Sequence, residues 1–283
     1  ELAESGARFE DVAELLWTGT LPSEPLAWPR ADLPELFTAA APEVLVVDET
    51  PPLAWLALLV PALALGDPAR YSSAPAALLP RGRRLIRAMA EALGGDPDPS
   101  LSVAQSLARG LCPRRAGPAT RAFDQGLVLW ADHELNVSSF AARVAASAGA
   151  DLYSCVSAGL AALSGPRHGG ACDQIEALLE EIRRPERAAD VINERTRRGE
   201  SLPGFDHPLY PAGDPRALPL LATARALGPR APRLRLVEAL VDAQRERGHE
   251  PTIDVGFVAL CAALRLRPGS APGLVAVGRA AGW

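Results

Sequence analysis

The sequence predicts an all-α protein built from two domains, and three observations carry that expectation. Apolar residues recur at helical spacing along most of the 283 residues. Strand-like character is confined to one short run, 44–47, and nothing alternates strand with helix as a parallel sheet requires. From 171 to 262 the chain becomes more charged and richer in turns, which marks that stretch as a smaller domain carried by a larger one formed from 1–170 and 263–283.

Taken in order, Phe9, Val12, Ala13, Leu15 and Leu16 define one apolar face, and Gly19 with Pro22 ends that helix. The Pro-rich stretch 22–34 reads as a surface connection. The most apolar run, 53–65, is interrupted by Pro61 and is too short to span a bilayer, so a buried helix or helix pair is expected there. A helix over 78–93 stops at Gly94-Gly95. Asp96-Pro97-Asp98-Pro99-Ser100 is then a turn able to cap a helix starting at Leu101. The alanine-rich segment 140–148 ends at Gly149, and 175–182 and 234–244 repeat the pattern with charged outer faces.

Composition removes several function classes. At 48% hydrophobic the chain can bury a large core, and a net charge of −5 gives no electrostatic case for nucleic-acid binding. No lysine occurs and every cationic side chain of fixed charge is arginine, so a Schiff base, a pyridoxal phosphate anchor and a phosphate-loop lysine are all excluded. Cys112, Cys155, Cys172 and Cys261 form no CxxC pair and read as buried thiols in a reducing compartment. With no signal peptide evident, a soluble cytoplasmic protein is expected.

Three of the four histidines lie in short strings rich in glycine, proline or acid: Asp132-His133-Glu134-Leu135-Asn136, Gly165-Pro166-Arg167-His168-Gly169-Gly170-Ala171 and Gly204-Phe205-Asp206-His207-Pro208. A fourth string, Pro251-Thr252-Ile253-Asp254-Val255, sets one carboxylate among apolar residues. Histidine is the side chain best suited to exchange a proton near neutrality. The spacings are long and lack a His-x-x-x-His pair, which speaks against a metal site. On its own, Asp254 could equally be a cap for a helix over 255–264, and His249 in its polar surroundings reads as exposed.

These strings, followed by Gly213-Asp214-Pro215-Arg216-Ala217 and Gly278-Arg279-Ala280-Ala281-Gly282-Trp283, resemble the citrate synthase family in the same order, and the opening Phe9-Glu10-Asp11-Val12-Ala13-Glu14-Leu15-Leu16-Trp17 resembles that family's early helix. The resemblance implies a dimeric, two-domain helical enzyme with its active site in the cleft, joining acetyl-CoA to oxaloacetate and hydrolysing the citryl thioester without a metal or other cofactor. It implies Asp254 as the base at the acetyl methyl group, His168 as hydrogen-bond donor to the thioester oxygen, and His207 as the group that polarises the oxaloacetate carbonyl. It further implies that His133, Arg216 and Arg279 bind oxaloacetate. A relative using propionyl-CoA to make 2-methylcitrate, and a non-catalytic domain sensing oxaloacetate or citrate, are the alternatives. Some bacterial proteins of this kind carry an N-terminal helix-turn-helix, which these residues do not display.

Departures from the family pattern are local. His207 is followed by Pro208-Leu209-Tyr210-Pro211 where basic residues are usual, Asp206 stands in place of glycine, and Cys172 in place of asparagine. A carboxylate next to His207 is expected to raise its pKa if the two are close. The family also continues past the position of Trp283 with a further helix and a tail that contacts CoA and lends an arginine to the partner subunit.

Overall fold

The computed structural model describes residues 1–30, 32–35, 37 and 51–283. Among them lie fourteen α-helices, three short 3-10 turns and no strand; the single β feature is an isolated antiparallel bridge between Phe205 and Pro251. The strand expected over 44–47 lies outside the described residues. The chain divides into two compact units, Glu1–His168 with Pro272–Trp283, and Gly169–Ala271.

The first unit contains α1 (Leu2–Ser5), α2 (Phe9–Thr18), α3 (Pro52–Leu65), α4 (Pro75–Ala92), α5 (Val103–Leu111), α6 (Ala116–Ala131), α7 (Val137–Ser147) and α8 (Leu152–Leu163). Helix α2 buries Phe9, Val12 and Ala13, and stops where Gly19 turns left-handed and returns its N–H to the Leu15 carbonyl at 2.9 Å. The run around Pro61 is one helix and not a pair: α3 continues through the proline, packing on α4 and α8. Helix α5 begins two residues later than the turn suggested, because Ser102 is its cap. The Ser102 hydroxyl accepts from the Gln105 N–H, and the Gln105 side chain accepts from the Ser102 N–H. Asn136 and Asp151 cap α7 and α8 in the same manner through the N–H groups of Ser139 and Ser154.

Arginine forks tie this unit together. Arg83 grips Glu14 through both carboxylate oxygens at 2.6 and 2.7 Å, and Arg81 reaches Asp67 at 2.6 Å. Arg87, with no exposed surface, donates to Glu91, to the Leu101 carbonyl and to the Asp98 carbonyl. Asp124 is the exception, a half-buried carboxyl with no cation of its own. One oxygen accepts the Phe9 N–H at 3.0 Å, while burial, aided by the charge of Glu10, pushes its pKa up to about 7. A carboxyl whose folded pKa lies above its unfolded value holds its extra proton between the two. The stability it contributes is therefore complete below about pH 4 and lost as the pH rises through 7. Asp124→Asn keeps the acceptor and removes the charge. It is expected to stabilise the protein by about 1–2 kcal/mol at pH 8, after discounting for the part of the carboxyl that water reaches, and not at pH 4. Urea melts at both pH values measure this, and an equal effect at both would contradict it.

The second unit holds α9 (Ala171–Ile182), α10 (Ala188–Arg197), α11 (Ala217–Leu227), α12 (Pro232–Arg245) and α13 (Ile253–Leu264), and ends two residues into α14 (Ser270–Arg279). Its centre is α13, packed by α9, α11 and α12. Gly256 lets α13 approach α11 closely: a Cβ there would sit 3.0 Å from both the Ala217 carbonyl oxygen and the Leu220 Cβ. With α13 packed by helices of this unit, the compact unit spans Gly169–Ala271, beside the expected 171–262. Eleven of its twelve residues are buried. The one that keeps exposed surface is Asp254.

Candidate active site

In the first unit the predicted residues gather around the start of α7. His133 sits half-exposed in the loop before it, with its carbonyl accepting from the Asn136 side-chain amide at 3.5 Å. His168 lies 2.8 Å from the Ser138 hydroxyl through Nε2. Ser138 is a hub: its oxygen accepts the indole N–H of Trp283 at 3.0 Å, and its one proton goes to the Asn136 side-chain oxygen at 2.9 Å. With that proton spent, the proton between Ser138 and His168 belongs to the imidazole Nε2, and Nδ1 is left as an acceptor. For Nδ1 to donate, the Ser138 hydroxyl must rotate from Asn136 to His168. The cost is about one hydrogen bond, on the order of 1 kcal/mol. Burial, and then the charge of Arg279, hold the His168 pKa below its ordinary 6.5, which favours the neutral ring.

The other predicted residue of this unit is Arg279. It has no exposed surface, and its guanidinium donates to the Trp130 carbonyl at 3.3 Å, the Asp132 carboxylate at 3.3 Å and the Ser139 hydroxyl at 2.6 Å. The fork fastens the loop that carries His133.

In the second unit three predicted residues meet at the start of α13. Arg216 is clamped by Asp214 in a two-point pair at 2.9 and 2.8 Å, and its guanidinium stands 5.4 Å from the centre of the Tyr210 ring. Asp214 also accepts the backbone N–H of Ile253 at 3.0 Å, which fixes Arg216 relative to the first turn holding Asp254. Burial alone would raise the Asp214 pKa, but the hydrogen bonds and charge of Arg216 outweigh it and hold the carboxyl below its usual range. The Asp254 carboxylate accepts from the Thr252 hydroxyl at 3.0 Å and from the Cys172 thiol at 3.7 Å. Desolvation nevertheless pushes its pKa up.

His207 accepts the Leu209 N–H at Nδ1, 3.2 Å away, so its proton resides on Nε2 and that edge is a donor. Burial and the Arg216 charge lower its pKa. The expectation that Asp206 would raise it fails for a geometric reason. Asp206 adopts a left-handed backbone, φ 57°, and turns its carboxylate to His249 Nδ1 at 2.5 Å and the Glu250 N–H at 3.1 Å. His249, exposed as expected, is thus part of a clasp between the loop of His207 and the loop entering α13. Gly204 completes that junction: with φ 85° it brings its carbonyl to the Thr252 N–H at 2.8 Å, where a Cβ would collide with Val255 at 2.5 Å.

Sequence reasoning missed Ser138, Ser139, Asp214 and Thr252. Asn136 three residues before Ser139, and Asp214 two before Arg216, were the available signals, since both are short-range side-chain-to-backbone patterns. Among the described residues no group of three or more His, Cys, Asp or Glu is arranged to hold a metal ion, and no helix is long and apolar enough to cross a membrane.

Comparisons with known proteins point to one family. The family model described as citrate synthase, C-terminal domain, matches residues 1–283. The citrate synthase of Haloferax volcanii is 30% identical over 306 residues, covering 98% of this chain and 80% of that one. A Mycobacterium tuberculosis relative assigned to the citrate synthases is 38% identical over 170 residues, 57% of this chain; that match spans just under half, 45%, of the relative's length. Among solved structures, citrate synthase from Thermoplasma acidophilum, in a ternary complex with carboxymethyl coenzyme A and oxaloacetate, superposes with a TM-score of 0.82. It is 24% identical, with 100% of this chain and 81% of that one covered, which speaks for the fold. With the match running the length of the chain and the histidine, arginine and aspartate strings falling in the family's order, this chain belongs to the citrate synthase family.

Proposed function

We propose that the chain condenses acetyl-CoA with oxaloacetate, giving citrate and CoA after hydrolysis of the thioester. The observation that carries this reading is the opening of α13. In a helix whose other residues are all buried, the one residue of intermediate burial is a carboxylic acid, Asp254, and the Asp214 bridge holds an arginine fork in fixed relation to it.

Asp254, made more basic by desolvation, takes a proton from the acetyl methyl group. A methyl beside a thioester is too weak an acid for a carboxylate alone, so the charge forming on the thioester oxygen must meet a donor already in place. His168 takes that role once Ser138 turns its proton to Nε2 and leaves Nδ1 protonated. The enolate carbon then bonds to the oxaloacetate carbonyl carbon, whose oxygen receives the Nε2 proton of His207. Arg216 holds a carboxylate of oxaloacetate, His133 contributes a further contact, and Arg279 acts by fixing the His133 loop. Water then cleaves the thioester and releases CoA as the thiol. Every group needed is a side chain, so the reaction asks for no metal or prosthetic group. A homodimer is supported by Val137, Phe140 and Val144, exposed along one face of α7, and a cytoplasmic location by four buried cysteines that keep their thiols out of disulfides.

Thiol release tests the proposal, with oxaloacetate and either acetyl-CoA or propionyl-CoA, on protein whose mass is read by sedimentation equilibrium. Oxaloacetate-dependent release is expected, faster with acetyl-CoA. Faster release with propionyl-CoA would identify a 2-methylcitrate synthase. Binding of oxaloacetate without any release would make the protein a sensor.

A further inference from the structure

We propose that Cys172 is a positioning residue for the base: its thiol donates to the Asp254 carboxylate, fixing the carboxylate's orientation while withdrawing little of its basicity. This deepens the function proposed above and rests on it. Cys172 is the second residue of α9 and Asp254 the second of α13, and the two helices pack together. The thiol has no exposed surface, and its sulfur lies 3.7 Å from Asp254 Oδ1. The other oxygen, Oδ2, accepts from the Thr252 hydroxyl at 3.0 Å. Each carboxylate oxygen therefore has a side-chain donor, and the pair defines the plane of the carboxyl group.

The choice of sulfur has a chemical consequence. A base that must remove a very weakly acidic proton is helped by few and weak hydrogen bonds to its charged form. A thiol is the weakest donor among the polar side chains and still occupies the volume beside the oxygen. It also stays protonated. Burial, and then the negative charge of Asp254, push its pKa well up, with Cys261, Glu176 and Asp173 adding in the same direction. The charged and titratable groups acting on this pair within the unit include Arg216, which favours the carboxylate, His207, which interacts with the Asp254 charge, and Asp173, Glu176 and Cys261, which keep the thiol neutral.

Infrared spectroscopy of the full chain tests the contact directly. The difference between wild type and Cys172→Ala isolates one S–H stretching band. That band is expected at lower frequency than a free thiol, and it should move up in Asp254→Asn, where the acceptor loses its charge. A band at the free-thiol position, unmoved by Asp254→Asn, would overturn the proposal. Kinetics supply the second arm. Cys172→Ser installs a stronger donor, and the acid limb of kcat/KM is expected to move down by about half a pH unit. Its kcat should fall several-fold, with the KM for oxaloacetate unchanged. In Cys172→Ala the acid limb should move up. Acid limbs that coincide in all three proteins would reduce Cys172 to a packing residue. Should wild type release no CoA, the function proposed above fails, and the S–H band still decides whether Cys172 holds Asp254.

Discussion

Asp254→Asn is expected to lower oxaloacetate-dependent CoA release about 10³-fold while leaving the protein at least as stable as wild type. General-base groups contribute about 10²–10⁴-fold, and the neighbouring carboxylate, Asp214, is committed to Arg216 and the Ile253 N–H. Stability moves the other way because the carboxylate is an uncomfortable guest. Desolvation raises its pKa, so the folded state pays for ionising it, and the amide keeps an acceptor for Thr252 or Cys172 without that cost. The linkage has a definite sign. A carboxyl with a raised folded pKa gives stability below its unfolded value of about 4 that is lost as the pH rises through the folded value. Asparagine should therefore flatten the loss of stability above pH 4. A rate loss under tenfold, measured by thiol release with oxaloacetate saturating, would remove Asp254 from the role of base. A loss of rate accompanied by a loss of stability would leave the two roles unseparated and contradict the reasoning about desolvation.

How far the sequence could be read depended on the range of the interaction concerned. Helical periodicity and glycine stops are local, and α2, α4 and α7 appear close to where their apolar faces and stop signals placed them. The start of α5 was two residues off because the choice between Leu101 and Val103 turns on a reciprocal Ser102–Gln105 pairing, a side-chain geometry and not a pattern of hydropathy. Pro61 looked like a break, yet proline removes only one helical hydrogen bond, and burial of Trp55, Leu56, Leu59 and Val60 outweighs that loss. At the candidate site, motif order brought forward His133, His168, His207, Arg216 and Asp254. It could not show which way a neighbouring side chain points. Asp206 precedes His207 in sequence but faces His249, 43 residues further on, because its left-handed backbone turns the carboxylate away from the histidine. Arg279 was brought forward by its motif alone, and its burial and its bond to Ser139, 140 residues away in sequence, could not be read from that motif.

Replacing Arg279 by methionine should produce the largest structural loss of any substitution at the site. The side chain is of similar length, so packing is largely conserved, and what disappears is the fork. The Trp130 carbonyl and the Ser139 hydroxyl lose their donor in a water-free setting, and each such group costs about 1–3 kcal/mol. Asp132, half-exposed, can return to water and adds little. A loss of roughly 2–4 kcal/mol follows, read as a lower urea midpoint at an unchanged slope. Lysine should not rescue it, because one ammonium cannot serve three acceptors in a planar array. The loop of His133 then loses its fastening, so oxaloacetate affinity falls as well. Calorimetry reads this, and unchanged affinity would detach the residue from the binding machinery. The charge gives a further readout. Arg279 helps to hold the His168 pKa below 6.5, so the unfolded chain takes up this proton first as the pH falls, and stability present above 6.5 is lost below it. With methionine the His168 titration moves back toward its ordinary value and that loss shrinks. A histidine resonance that titrates at the same pH in both proteins would show that the guanidinium acts on the loop alone and leaves the imidazole untouched.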